Sequence, residues 1–98
     1  MRTLLRARMD TRTSNEAVKD GTMAKMIEEV VQQLEPEAAY FTALDGGRSC
    51  LIVFDMKDPS QMPGICEKFF VTAEAEVELH PVMNLDDLKR GLSALQKS

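Results

Sequence analysis

The sequence predicts an α+β domain with its elements in the order β-α-β-β-α-β and one further helix at the C-terminal end. Three observations predict it. Residues 3–9 and 75–83 alternate apolar and polar side chains with period two. Residues 14–34 and 59–71 carry apolar side chains at steps of three and four. Asp45-Gly46-Gly47 joins two further apolar runs, 38–44 and 48–56, in the manner of a hairpin turn.

Each element has its own reason. In 3–9, Thr3, Leu5, Ala7 and Met9 fall on one side and Leu4, Arg6 and Arg8 on the other, the mark of a half-buried strand. Arg2, Arg6, Arg8 and Arg12 also give this end the look of a targeting presequence. The strand is preferred, because no small-residue cleavage pattern follows an apolar core. Thr13-Ser14-Asn15-Glu16 fits a capping box at the start of the first helix, over about 14–34. Ala17, Gly21, Ala24, Ile27, Val31 and Leu34 form its apolar stripe. Gly21 marks either a break, with Thr22 as a second N-cap, or a close approach to the sheet, and Glu35-Pro36 ends the helix.

The hairpin strands follow, with glycine supplying the positive φ angles that tight turns need. Asp58, Pro59 and Gln61 then form the cap, first position and box partner of a helix over about 59–71. Pro63 lies close enough to its start to be accommodated. Met62, Ile65, Cys66, Phe69 and Phe70 make its apolar face. Val77 and Leu79 alternate with Glu76, Glu78 and His80 in the fourth strand, and Asn84 to Asp87 cap a helix over about 85–96 with a narrow stripe of Leu85, Leu88, Leu92 and Leu95.

This order in so short a chain is the split βαβ, or ferredoxin-like, arrangement. Right-handed crossovers then give an antiparallel four-stranded sheet of order 4-1-3-2 with both main helices on one face. Pro81 agrees, since proline belongs on an edge strand and strand four is an edge.

Composition bounds the rest. Ninety-eight residues, 44% hydrophobic and 29% charged, suit a single small domain spanning 1–98, with a thin margin of stability. The uncharged apolar runs, residues 49–54 among them, are far below the ~20 residues a membrane helix needs. A net charge of −4 argues against nucleic acid as partner. An RNA-recognition module shares this element order but needs aromatics on the open face of its third strand, which reads RSCLIVFDM. Cys50 and Cys66 lack CxxC spacing. They could pair in a disulfide, yet two cysteines in apolar surroundings read better as free thiols in a reducing cytoplasm.

Alternation also sorts the two sheet faces. Leu5, Ala7, Met9, Phe41, Ile52, Phe54, Val77 and Leu79 are expected under the helices. Leu4, Arg6, Arg8, Tyr40, Thr42, Leu51, Val53, Asp55, Glu76, Glu78, His80 and Val82 are expected on the open face, with the third strand the hardest to assign. That face is too apolar to stay wet. A second copy, sheet against sheet about a twofold axis, covers it, and the last helix helps clamp the partner. The alternative is a monomer whose last helix folds back over its own sheet.

The segments PEAAYFTALDGGR (36–48), FDMKDPSQMP (54–63), VELHPVMNLDDLKRGL (77–92) and NEAVKDGTM (15–23) resemble a family of small bacterial proteins of uncharacterised function. That resemblance covers most of the chain and implies the fold of the dimeric α/β-barrel superfamily. Its members include cofactor-free monooxygenases, isomerases, chlorite dismutase-like haem proteins and stress-responsive proteins. It implies a fold and a homodimer and no catalytic residue.

His80, the single histidine, is placed near Glu78 and the arginines of the first strand, where it could shuttle a proton or serve as an interfacial hydrogen-bond partner. Glu76 and Glu78 oppose arginines, as a salt-bridge lattice or, through Arg6 and its neighbour Arg8, as an anchor for a carboxylate or phenolate. Tyr40 could donate into a pocket and Asp55 could act as a base. One histidine and two separated cysteines do not make a zinc site. The seven methionines suit core gap-filling rather than a cofactor site, and Asp-Gly-Gly lacks the context of a phosphate loop.

The expectation is therefore a cytoplasmic homodimer, without cofactor or metal, serving as a non-catalytic small-ligand-binding or assembly module. Its candidate ligand-binding residues are Arg6, Arg8, Tyr40, Glu78 and His80. The alternative is a cofactor-independent, monooxygenase- or isomerase-like enzyme acting on a small organic acid or aromatic compound, with Arg6 binding and His80 or Asp55 moving protons. A regulatory small-molecule domain is a third option, but such domains usually accompany a second one.

Overall fold

The computed structural model describes residues 1–96 of the chain. Strands β1 (Arg2–Arg8), β2 (Ala38–Leu44), β3 (Gly47–Asp55) and β4 (Glu76–Pro81) form one antiparallel sheet of order β2-β3-β1-β4. Helices α1 (Thr11–Asp20) and α2 (Thr22–Leu34) connect β1 to β2. A short 3₁₀ turn and α3 (Met62–Ala73) connect β3 to β4, and α4 (Leu85–Gln96) follows. The topology is consistent with the ferredoxin-like arrangement.

β1 organises the core because it has a strand on each side. Leu5 pairs across to Ile52 and Leu79, and Ala7 to Cys50 and Val77. Its residues alternate between fully and half buried. The buried set joins Val30 of α2 and Ile65, Phe69 and Ala73 of α3 in one apolar cluster.

The hairpin turn is shorter than the Asp-Gly-Gly triplet suggests. Leu44 pairs with Gly47, leaving a two-residue loop of Asp45 at φ 52° and Gly46 at φ 78°. Both signs are positive, as in the mirror-image turn whose twist matches that of the flanking strands. Gly47 opens β3 instead. A Cβ there would stand 3.2 Å from Arg8 Nε, so the glycine makes room for that side chain.

The first long helix is two helices, the break being one of the two roles open to Gly21, which turns left-handed at φ 84°. Three expectations need correction. Gly21 itself caps α2, Thr22 being its first residue, with its hydroxyl 2.7 Å from Asp20 Oδ1. The first cap comes three residues early: Asp10, not Thr13, accepts the free amide, from Thr13 N at 3.0 Å. Ser14 and Asn15 serve Arg48 instead, whose Nη1 reaches Ser14 Oγ at 2.7 Å and Asn15 Oδ1 at 2.9 Å. Phe41 lies on the helix side of the sheet but is 55% exposed, because of the helix-side residues of β2 only Ala39 packs against the core cluster. Val77 and Leu79 are only partly buried.

The Cα radius of gyration is 15.7 Å and the extents are 56 × 27 × 18 Å, against about 13 Å for a compact chain of this length. The excess comes from α4. Its start is capped reciprocally, Asp87 N donating to Asn84 Oδ1 and Asn84 N to Asp87 Oδ2, but no described residue of it is buried. The alternative in which α4 folds back over its own sheet is not what the structure shows.

Phe69 is fully buried at the centre of the cluster. Phe69→Ala is expected to cost about 3–5 kcal/mol in denaturant unfolding, through lost transfer energy and a residual cavity. Met83→Ala, at an exposed position, is expected to change stability by less than about 0.5 kcal/mol.

Candidate functional site

The open sheet face is ordered in rows that run across the strands. One row reads Glu78, Arg6, Leu51, Tyr40; the next reads His80, Leu4, Val53, Ala38. The strands therefore place a charged half, on β4 and β1, beside an apolar half, on β3 and β2.

The charged half is a connected chain. Arg6 Nη1 donates to Glu78 Oε2 at 2.7 Å, and Glu78 Oε1 meets His80 Nε2 at 2.9 Å. The Arg6 fork uses its other end on Asp45 Oδ2 at 3.0 Å. Arg8 Nη2 donates to the Asp45 carbonyl at 2.9 Å, while Arg8 Nε is buried without a partner. The His80 ring and then the Arg6 guanidinium hold the Glu78 carboxyl below its ordinary value. An ionised carboxylate only accepts hydrogen bonds, so Nε2 carries the proton that faces Glu78. In the neutral ring Nδ1 is then the acceptor.

The structure thus brings together Arg6, Glu78 and His80, with Arg8 joined through Asp45. Tyr40 lies two strands from Arg6 and is 68% exposed. Asp55 sits at the end of β3 opposite Arg2, separated from β4 by β1. Its carboxylate takes Lys57 Nζ and the Met1 amine, each at 2.6 Å. Those two bonds hold it at about 2, which makes it a weak base. Asp45 is the member that sequence reasoning missed. Its signal was there, since a hairpin ending beside an arginine-bearing strand brings its turn aspartate within reach.

Arg2 reaches Glu37 Oε1 at 2.6 Å and Asp87 Oδ2 at 3.3 Å, tying the root of α4 to the end of the sheet. Arg90 pairs with the same Asp87. Cys50 and Cys66 are free, and burial pushes the Cys50 thiol up to about 11, so it is unreactive at neutral pH. Hollows of about 190, 220 and 340 Å³ lie elsewhere on the chain, and none of these three is lined by Arg6, Glu78 or His80. Among the described residues no group of three or more His, Cys, Asp or Glu could hold a metal ion, and no helix is long and apolar enough to cross a membrane.

No protein-family model matches this chain, and no curated protein matches it.

Asp10, Asp20, Asp55, Asp58, Glu78 and Asp87 are all held below their ordinary values by hydrogen bonds to amides, hydroxyls or cationic partners. Depressed folded values mean that the unfolded chain takes up protons first as pH falls. The melting temperature is therefore expected to hold from pH 7 to about 5 and to fall between about 4.5 and 2. Asp55→Asn is expected to flatten the most acidic part of that curve in thermal melts.

Proposed function

We propose that the chain is a non-catalytic homodimeric module for small-ligand binding or assembly. Two copies meet through their open sheet faces as a dimeric α/β barrel enclosing a small cavity of mixed polarity. The observation that carries this reading is the uncovered face itself, where Leu4, Leu51 and Val53 stay half exposed beside Tyr40, and no described residue of α4 is buried against it. Covering each large apolar side chain contributes ~1.5–3 kcal/mol. The resemblance of 36–48, 54–63 and 77–92 to the uncharacterised bacterial family, and through it to the dimeric barrel superfamily, supports the same arrangement. So does the exposed leucine stripe of α4, poised to clamp a neighbour. A cytoplasmic setting suits two free thiols.

A second reading rests on the Glu78–His80 bond at 2.9 Å. A histidine oriented by a carboxylate beside an arginine fork is a proton shuttle next to an anion anchor. In that reading the module is a cofactor-independent enzyme of monooxygenase or isomerase type. The ligand is then a small organic acid or aromatic, and Asp45, 75% exposed at its side chain, holds the place of the ligand carboxylate on Arg6.

Light scattering tests the dimer. Leu51→Arg sets a second guanidinium beside Arg6 on the shared face and is expected to halve the mass; an unchanged mass contradicts the open-face interface. Benzoate tests the ligand class. It is expected to raise the melting temperature of the wild type, and more so in Asp45→Ala, which frees Arg6 Nη2. It is expected to have no effect in Arg6→Met, since stabilisation follows the bound fraction. Equal shifts in all three proteins contradict an Arg6 anchor, and no shift in any leaves assembly alone. A benzoate-family turnover lost in His80→Gln would favour the enzyme.

A further inference from the structure

We propose that β2 is a self-association edge: two copies pair β2 antiparallel about a twofold axis through Phe41, joining their four-stranded sheets into one continuous sheet. This interface is separate from the open face and does not depend on the reading above.

The two edges of the sheet are built differently. β4 carries Glu76, Glu78 and Pro81, the charges and proline that keep an edge from pairing. β2 reads AAYFTAL, with no charge, proline or glycine, and is exposed over most of its length. Both of its aromatic side chains are open, Tyr40 on one face and Phe41 on the other. A strand apolar on both faces and unguarded along its rim is a template for another strand.

The hairpin register states which backbone groups are free for that purpose. In a two-residue loop the closing pair, Leu44 and Gly47, is hydrogen-bonded, and bonding then alternates along the ladder. Thr42 and Tyr40 therefore spend their backbone groups on β3, while Ala39, Phe41 and Ala43 aim theirs outward. That outward set is symmetric about Phe41. Turned through a twofold axis it pairs Phe41 with the partner's Phe41, and Ala39 with the partner's Ala43, satisfying every outward donor and acceptor.

Side chains agree with the backbone. A hydrogen-bonded antiparallel pair sets its Cα atoms about 5.5 Å apart with side chains on one face. The partner's Phe41 thus arrives on the helix side, where Met9, Met23 and Ile27 line a hollow of about 220 Å³ beside Phe41. A ladder of seven residues is about 24 Å long. Taking the 18 Å least extent of the molecule as its width, each copy contributes roughly 400 Å², about 800 Å² in all, which is below the standard range and suits a weak, transient association. The self-complementary register makes a second copy, weakly held, the occupant that fits.

The test combines light scattering with amide hydrogen exchange on the full chain over a dilution series up to about 500 µM, high enough to populate a weak dimer. The expected result is a concentration-dependent doubling of mass, with the amides of Ala39, Phe41 and Ala43 slowed at least about tenfold at high concentration. Phe41→Lys, placed in Leu51→Arg so that the open face cannot associate, sets like charges on the axis and is expected to abolish both effects, which Leu51→Arg alone leaves in place. A doubling that survives in the double variant, or edge amides that exchange freely at every concentration, overturns the proposal. If Phe41→Lys fails to fold, shown by lost protection of β3, exchange in the wild type decides alone.

Discussion

The constraint on which this molecule depends is the two-sidedness of β1. It lies between β3 and β4, so each of its residues is read by two neighbours at once. Thr3, Leu5 and Ala7 point into the helices, while Arg2, Leu4, Arg6 and Arg8 point away. A one-residue slip of the register would carry three guanidinium groups into an apolar cluster and pull Leu5 out of it. Burying an unpaired charge costs far more than the ladder could return, so the alternation selects one pairing and fixes which face is which.

The arginines then organise the rim. Arg2 gathers Glu37 and Asp87, and Arg6 gathers Glu78 and Asp45. Arg8 leans over Gly47 onto the turn. Exposed pairs of this kind contribute little to stability. Their consequence is orientation: the root of α4 and the hairpin tip are held by side chains that start on β1, and the His80 ring by Glu78, which Arg6 holds in turn. The result is a sheet with one side covered by helices over β1 and β3 and one side where charge and apolar surface lie in adjacent rows.

Much of this was legible in the residues. Period two in 3–9 and the Asp58–Gln61 box marked elements that the structure contains, and Pro81 marked the β4 edge. The opposition of Arg6 to Glu78 followed from strand order alone. What was not legible has physical reasons. Asp10 and Thr13 are both good caps, and only the direction in which the chain leaves β1 chooses between them. Gly21 offered a break or a close approach, and nothing local separates the two. Phe41 was assigned to core by its face, but a face is covered only as far as the helices reach, and helix placement is a tertiary fact. The role of Asp45 depends on a turn one residue tighter than the glycines implied.

The chain contains one tyrosine and no tryptophan, and that tyrosine is Tyr40 on the open face. In Phe41→Lys, where the β2 edge cannot pair, its emission reports on whether that side of the sheet is sheltered by a neighbour. Acrylamide quenching along a dilution series is expected to be weak in concentrated protein and to rise towards that of free tyrosine as the copies separate. Full quenching at every concentration would contradict the claim, since it would leave the surface facing away from the helices permanently bare.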